Sequence, residues 1–248
     1  VRLLYASDNN STDVGQTRIY ATQRDSSDAD FPQGSEIAAP QGFDGYGDSG
    51  LSMAGNQGFT VAAWVRQSTT LPKDAGQTLN SDEQALLMNA TEIVAATGNN
   101  AGNWVSQRLT NNASPDLAPV VAVSKGGEKA IVAWRSVYAA DAADLLNFSQ
   151  QDHILYSIYS DNTGWSKPQM LYNGTSGPVK GITAAMLSDG SAAIAYTLDT
   201  GRKGEPLDYE IGYTIVGIDN QPALSAIITQ DQWLDENPQL VTVDFDRS

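Results

Sequence analysis

The chain of 248 residues contains no cysteine. That single absence excludes disulfide staples, thiolate metal centres and cysteine nucleophiles. Histidine is nearly absent as well: His153 is the only one, and it opens the strand-like run "HILYSIY" with no recognisable partner. Neither a Gly-x-Ser-x-Gly elbow, a His-Glu-x-x-His pair nor a phosphate-cradling glycine loop can be found. Basic residues are scarce, 14 against 29 acidic ones, for a formal charge of −15. Phosphate backbones demand clustered Lys and Arg, so nucleic acid is excluded as a partner. No apolar run approaches the roughly 20 residues of a membrane-spanning helix, which excludes membrane insertion by that route. No charged, apolar and small-residue leader opens the chain; it starts on the strand-like "VRLLYAS". A mature segment of a longer polypeptide with further domains is therefore expected. Sustained helical periodicity is also lacking, although "DAADLLNFSQ" could form one turn.

What the sequence does contain is a repeat. The runs "GFTVAAW", "KAIVAW" and "SAAIAY" end alike at Trp64, Trp134 and Tyr196, and the opening "VRLLY" ends likewise at Tyr5. The clearest full unit reads "HILYSIYS", "GWSKPQMLY", "VKGITAAMLS" and "GSAAIAYTL". Each piece is short, rich in Val, Ile, Thr and aromatics, and bounded by Gly, Asn, Asp or Pro, as strands are. Four copies are read over residues 17–67, 86–138, 153–198 and 208–248. Tandem four-stranded units describe an all-β propeller of about four antiparallel blades. Each blade is too small to bury both faces alone, and stacking around an axis covers them. The last copy ends in "PQLVTVDF" without a fourth strand, which "VRLLYAS" has the pattern to supply. That opening strand either completes the last unit and closes the ring or belongs to a preceding blade.

The pattern "ILYSIYSDNTGWSKPQML…P…SDGSAAIAY" resembles the tandem propeller repeats of large bacterial extracellular and surface proteins. These are distant relatives of the aspartate-box, sialidase-like propellers. The resemblance implies an exported or cell-surface location. The turn "YSDNTGWSKPQ" departs from an aspartate box. Asp161 precedes Gly164 by three residues and Trp165 follows it at once, whereas a box has its Asp two before the Gly and its aromatic three after. Boxes also sit between a blade's third and fourth strands, and in the repeat as read this turn joins the first and second. It is taken as a recurring corner, matched by "GNNAGNW".

In this reading the long connections share one face of the propeller: 8–16, 68–85, 139–152 and 199–208, with 40–50, 110–118, 172–178 and 230–237. They carry most of the carboxylates, so one acidic face is expected, and long loops on a rigid scaffold are where binding resides. Within it, "FDGYGDSG" offers Asp44 and Asp48 as oxygen ligands for calcium, the one cofactor considered, although the twelve-residue calcium-loop pattern is missing. "QDQWLDEN" places Trp233 beside Asp231 and Asp235; with Tyr46 these are the candidate ligand-binding residues, the ring stacking on a sugar while the acids accept its hydroxyls. A simple polar turn and a buried loop anchor are the structural alternatives at the two places. Without a catalytic constellation, a non-catalytic module binding a glycan or a protein is expected. A glycoside hydrolase, which needs two carboxylates flanking the bond, and a purely architectural spacer are the alternatives.

Overall fold

The computed structural model describes residues 1–8, 17–25, 27, 30–43, 46–56, 58–69, 79–138, 151–173, 179–200, 208–230 and 234–241. Their strands form four antiparallel sheets, each in chain order. The first holds β1 (Arg2–Asp8), β2 (Thr17–Gln23) and β3 (Ser35–Glu36). The second holds β4 (Tyr46–Asn56), β5 (Phe59–Gln67), β6 (Thr91–Gly98) and β7 (Trp104–Arg108), with one helix, α1 (Ser81–Asn89), between β5 and β6. The third holds β8 (Asp116–Val123), β9 (Lys129–Tyr138), β10 (Gln151–Ser160), and the edge pieces β11 (Gly164–Trp165) and β12 (Gln169–Asn173). The fourth holds β13 (Val179–Met186), β14 (Ala192–Asp199), β15 (Tyr209–Val216) and β16 (Pro222–Ile227).

The leading strands of the three complete sheets stack in succession, β4 on β8 and β8 on β13, while the first sheet packs on β4. Three apolar layers separate the sheets. Leu4, Ile19 and Ile37 meet Trp64 and Val94; Val61, Val65 and Ile93 meet Val132 and Trp134; Ile131, Ile154 and Tyr156 meet Ile194 and Tyr196. The second strand of each complete sheet is covered on both faces, which is why β5, β9 and β14 read as unbroken apolar runs ending in the repeated aromatic. Small residues at Ala62, Ala95, Ala133 and Ala195 let the sheets approach closely. The architecture is a β-propeller built of four-stranded antiparallel blades.

The hydrogen-bonded sheets are offset by two strands from the units read in the sequence. Each takes the last two strands of one unit and the first two of the next, so β8 and β9 pair with β10 and β12. The repeat is periodic, so its phase is invisible to pattern matching; ladder bonds set it. The offset also moves the "YSDNTGWSKPQ" corner to the junction of third and fourth strands, where an aspartate box sits. Its residue spacing remains different, and Gly164 at φ 69° makes the turn while Trp165 packs on Tyr159. Gly102 at φ 79° does the same before Trp104.

The helix is the other departure. The connection 68–85 was expected to be loop, yet Asn80 and Glu83 form a reciprocal capping box that starts α1 within it. The helix buries only Ala85 and Leu87, too narrow a stripe to show as helical periodicity. The "DAADLLNFSQ" stretch lies outside the described residues.

Candidate functional site

The inner strands β4, β8 and β13 share a local device. Each carries a β-bulge where two of its residues oppose one of the next strand: between Ser49 and Ser52, Leu117 and Val120, and Val179 and Ile182. Gly50 and Ala118, at equivalent bulge positions, have φ 60° and 51°. Two residues earlier lies a carboxylate in both cases, Asp48 or Asp116, at the end of the strand fed by the long connections. Bulges re-aim side chains and are enriched next to functional sites.

Asp48 is fully buried together with Arg66, which donates Nε to Oδ1 at 2.6 Å and Nη2 to Oδ2 at 2.7 Å. Arg66 also reaches the Phe43 carbonyl at 3.5 Å, and the Phe43 ring lies 4.1 Å beneath the Arg108 guanidinium. The connection entering β4 is thus tied down from behind.

Asp116 solves the same position without a cation of its own. Oδ1 accepts from Trp134 Nε1 at 3.0 Å and Oδ2 from Asn112 Nδ2 at 3.0 Å. Asn112 also donates its backbone N–H to Glu92 Oε1 at 3.0 Å, and Glu92 is paired with Arg108 at 2.9 Å. The connection 109–115 is therefore held by carboxylates of two neighbouring sheets. Burial pushes the Asp116 carboxyl up to about 6, against the hydrogen bonds of Ser136, Thr110 and Asn112, with the Glu92 charge adding to the rise.

Asp152, at the start of β10, fastens the next junction. Its Oδ2 accepts the Val179 N–H at 2.6 Å, while Arg135 Nη1 donates to the Val179 carbonyl at 2.9 Å. The two side chains grip one peptide residue from both sides as the chain enters β13. Arg135 Nε lies 3.4 Å from Asp152 Oδ2 without hydrogen-bond geometry, and the buried Oδ1 has no hydrogen-bond partner among the described residues. Burial lifts Asp152 to about 6, opposed by the Arg135 charge and the Val179 N–H. His153 beside it stacks on Tyr138 at 5.8 Å, and burial lowers its pKa.

Of the residues singled out in the sequence, Asp48 was read as a calcium ligand and instead gives both oxygens to Arg66. Asp44, Asp231 and Trp233 lie outside the described residues, as does the Tyr46 side chain. Asp235 donates its N–H to the Tyr209 carbonyl at 2.9 Å, and its buried Oδ2 has no hydrogen-bond partner among the described residues. Beside it Lys180 pairs with Glu236 and stands 4.2 Å over the Tyr209 ring. Among the described residues no group of three or more His, Asp or Glu side chains is arranged to hold a metal ion. None of the described helices is long and apolar enough to cross a membrane.

Sequence reasoning counted Asp116 and Asp152 only among the carboxylates of the acidic face, and gave no role to Glu92 or to the arginines that serve them. The available signal was positional: Asp48-Ser-Gly50, Asp116-Leu-Ala118 and Asp235-Glu-Asn237 each set an Asp two residues before a left-handed position.

No family model matches the sequence, and no curated protein matches it. Among solved structures, a Hadza microbial sialidase is 12% identical at TM-score 0.46, over 71% of this chain and 37% of its own. Trypanosoma rangeli sialidase in complex with sialic acid is 10% identical at TM-score 0.44, over 90% of this chain and 34% of its own. Penicillium chrysogenum α-L-arabinanase complexed with arabinobiose is 14% identical at TM-score 0.47, over 90% of this chain and 70% of its own. The chain thus spans about a third of the length of these two sialidases.

Proposed function

We propose that this propeller is a non-catalytic module of an exported or cell-surface protein that binds a glycan on its long-connection face. One observation carries the reading: Asp48, Asp116, Asp152 and Glu92 all hold a connection or strand entry of that face in place. Carboxylates committed to Arg66, Asn112 and Val179 are poorly placed to reach a substrate; connections pinned this way present a pre-ordered surface, which lowers the entropy lost on binding. The acidic charge of −15 favours neutral, hydroxyl-rich ligands over sulfated or phosphorylated ones. In this reading Trp233 supplies the stacking ring and Asp231 and Tyr46 the polar contacts to the sugar hydroxyls, while Asp235, its Oδ2 buried, serves the connection rather than the ligand. Neighbouring domains of the same polypeptide would supply anchoring or catalysis.

An array of neutral and anionic glycans, probed with the wild type and with Trp233→Ala, tests this. Selective retention of neutral glycans, weakened at least about tenfold by Trp233→Ala, is expected. Binding of no glycan would leave a protein-binding or spacer role.

A glycoside hydrolase is the second reading, favoured by Asp116 and Asp152, whose carboxyls are raised to about 6, the range of a general acid. Both are enclosed by their own partners. Turnover of chromogenic glycosides, abolished by Asp116→Asn or Asp152→Asn, would establish it. Calcium, with Asp48 committed to Arg66, would draw on Asp44; an unchanged melting temperature on chelation would remove it.

A further inference from the structure

The three complete sheets differ at one point where their second strands reach the long-connection face. Four residues past the repeated aromatic stand Ser68, Tyr138 and Thr200. Ladder register equates these positions, because two residues earlier Arg66 opposes Glu92, Ser136 opposes His153 and Leu198 opposes Glu210. Ser68 and Thr200 are small and serve their own connections. The Ser68 N–H donates to the Ala90 carbonyl at 2.7 Å. Thr200 gives the Asp208 carbonyl both its N–H, at 2.8 Å, and its hydroxyl, at 3.2 Å. Tyr138 is instead 58% exposed, and among the described residues it is the only aromatic side chain left so open.

The third strand changes with it. The cross-strand row Asp48–Arg66–Glu92 of the second sheet becomes Asp116–Ser136–His153 in the third. Tyr138 opposes Gln151, which makes it the diagonal neighbour of His153 on the same face of the sheet, within reach for two rings. The rings stack 5.8 Å apart at an interplanar angle of 8°. Burial lowers the His153 pKa, so the imidazole behind the phenol ring is uncharged at neutral pH. His153 therefore fixes the orientation of Tyr138 from one side. Sheet packing does not require an aromatic here, since Ser68 and Thr200 complete the equivalent positions without one.

We infer that the Tyr138–His153 pair is a stacking platform for one ring of a neutral pyranose glycan, a site additional to Trp233. The inference rests on the glycan-binding reading above and gives it a contact of defined geometry. A tyrosine already oriented by its neighbour offers rigid, amphipathic area with little entropy left to lose on binding. The flat C–H face of a pyranose lies on the free side of the Tyr138 ring, and its hydroxyls point to water or to the phenol oxygen. A chain charge of −15 turns away anionic rings. Asp116 and Ser136, both buried, lie behind the platform in the same row; they hold the strands that carry it and touch no ligand.

The chain has a single histidine, so His153 gives the only imidazole C–H signals in a carbon-edited NMR spectrum of the protein. Hexasaccharides of β-linked glucose, xylose, mannose and galactose serve as neutral probes. A probe that binds should move the His153 signals saturably, through the tyrosine ring it covers. Tyr138→Ala should weaken that probe at least about tenfold. Tyr138→Phe keeps the stacking surface and should stay within about twofold of the wild type. Binding that leaves the His153 signals unmoved, or that Tyr138→Ala does not weaken, overturns the platform and leaves the glycan reading standing on Trp233. Equal losses in Tyr138→Phe and Tyr138→Ala would also overturn it, because the ring would then not be the contact. Binding of none of the four probes overturns the platform and the glycan reading together.

Discussion

The second and third sheets place an aspartate at the same point and stabilise it in opposite ways. Asp48 opposes Arg66 across β4 and β5, and Asp116 opposes Ser136 across β8 and β9. In the second sheet a guanidinium takes both carboxylate oxygens, and the indole of Trp64 is left buried with Nε1 unpartnered. In the third sheet the equivalent indole, Trp134, donates to the aspartate, and neutral donors complete the set. A full counter-charge faces Asp48, whereas Asp116 is surrounded by neutral donors, and burial raises its carboxyl to about 6. The repeat thus preserves the position of the carboxylate, the job of fastening a connection, and little else.

Removing the cation breaks the comparison most sharply. Arg66→Ala leaves Asp48 buried and unpaired, and urea unfolding should report a loss of about 3–5 kcal/mol. Adding Asp48→Ala should recover part of it, since the orphaned charge then disappears. Tryptophan gives the next contrast. Trp134→Phe deletes the donor to Asp116 and should cost about 1–3 kcal/mol beyond the volume change, whereas Trp64→Phe removes a donor that has no partner and should cost distinctly less. Equal losses would show that the indole nitrogen does not distinguish the two sheets.

Titration gives a further handle on Asp116. The folded-state pKa of Asp116, about 6, lies above the unfolded value, so the folded protein holds a proton that the unfolded chain has lost between those values. Its ionisation therefore costs stability at neutral pH, and the cost is relieved as pH falls through 6. From pH 7 to 5 this linkage amounts to about 1 kcal/mol. Asp152 adds a similar amount for the same reason. Subtracting the stability–pH curve of Asp116→Asn from that of the wild type should isolate the rise. A flat difference curve would mean that Asp116 titrates as an ordinary carboxylate. The smallest effects lie in the bulges: Gly50→Ala should cost about 1–2 kcal/mol at its left-handed angle, and Ala118→Gly should gain up to about 1 kcal/mol by relieving one.

The architecture was legible because second strands buried on both faces must be apolar, and Trp64, Trp134 and Tyr196 recur at matching points within them. Phase was not, because a four-strand period looks the same from any starting strand until ladder bonds assign it. The helix escaped because α1 hides only Ala85 and Leu87, although Asn80 and Glu83 spelled its cap. The roles of Asp116 and Asp152 escaped for a different reason. Among 29 carboxylates an aspartate beginning a strand carries no local mark of burial, and its partners Trp134, Asn112 and Val179 are brought to it by other strands and connections. Asp44 and Asp48 drew notice through a glycine-rich turn, yet the decisive partner of Asp48 was Arg66, on the facing strand.

Native mass spectrometry of the folded protein, incubated with a mixture of neutral glycans, tests the central claim most directly, because one spectrum reports both association and cleavage. The account predicts a non-covalent complex carrying an intact glycan, diminished in Trp233→Ala. Shortened glycans, covalent glycosyl adducts on the chain, or the absence of any complex would contradict it.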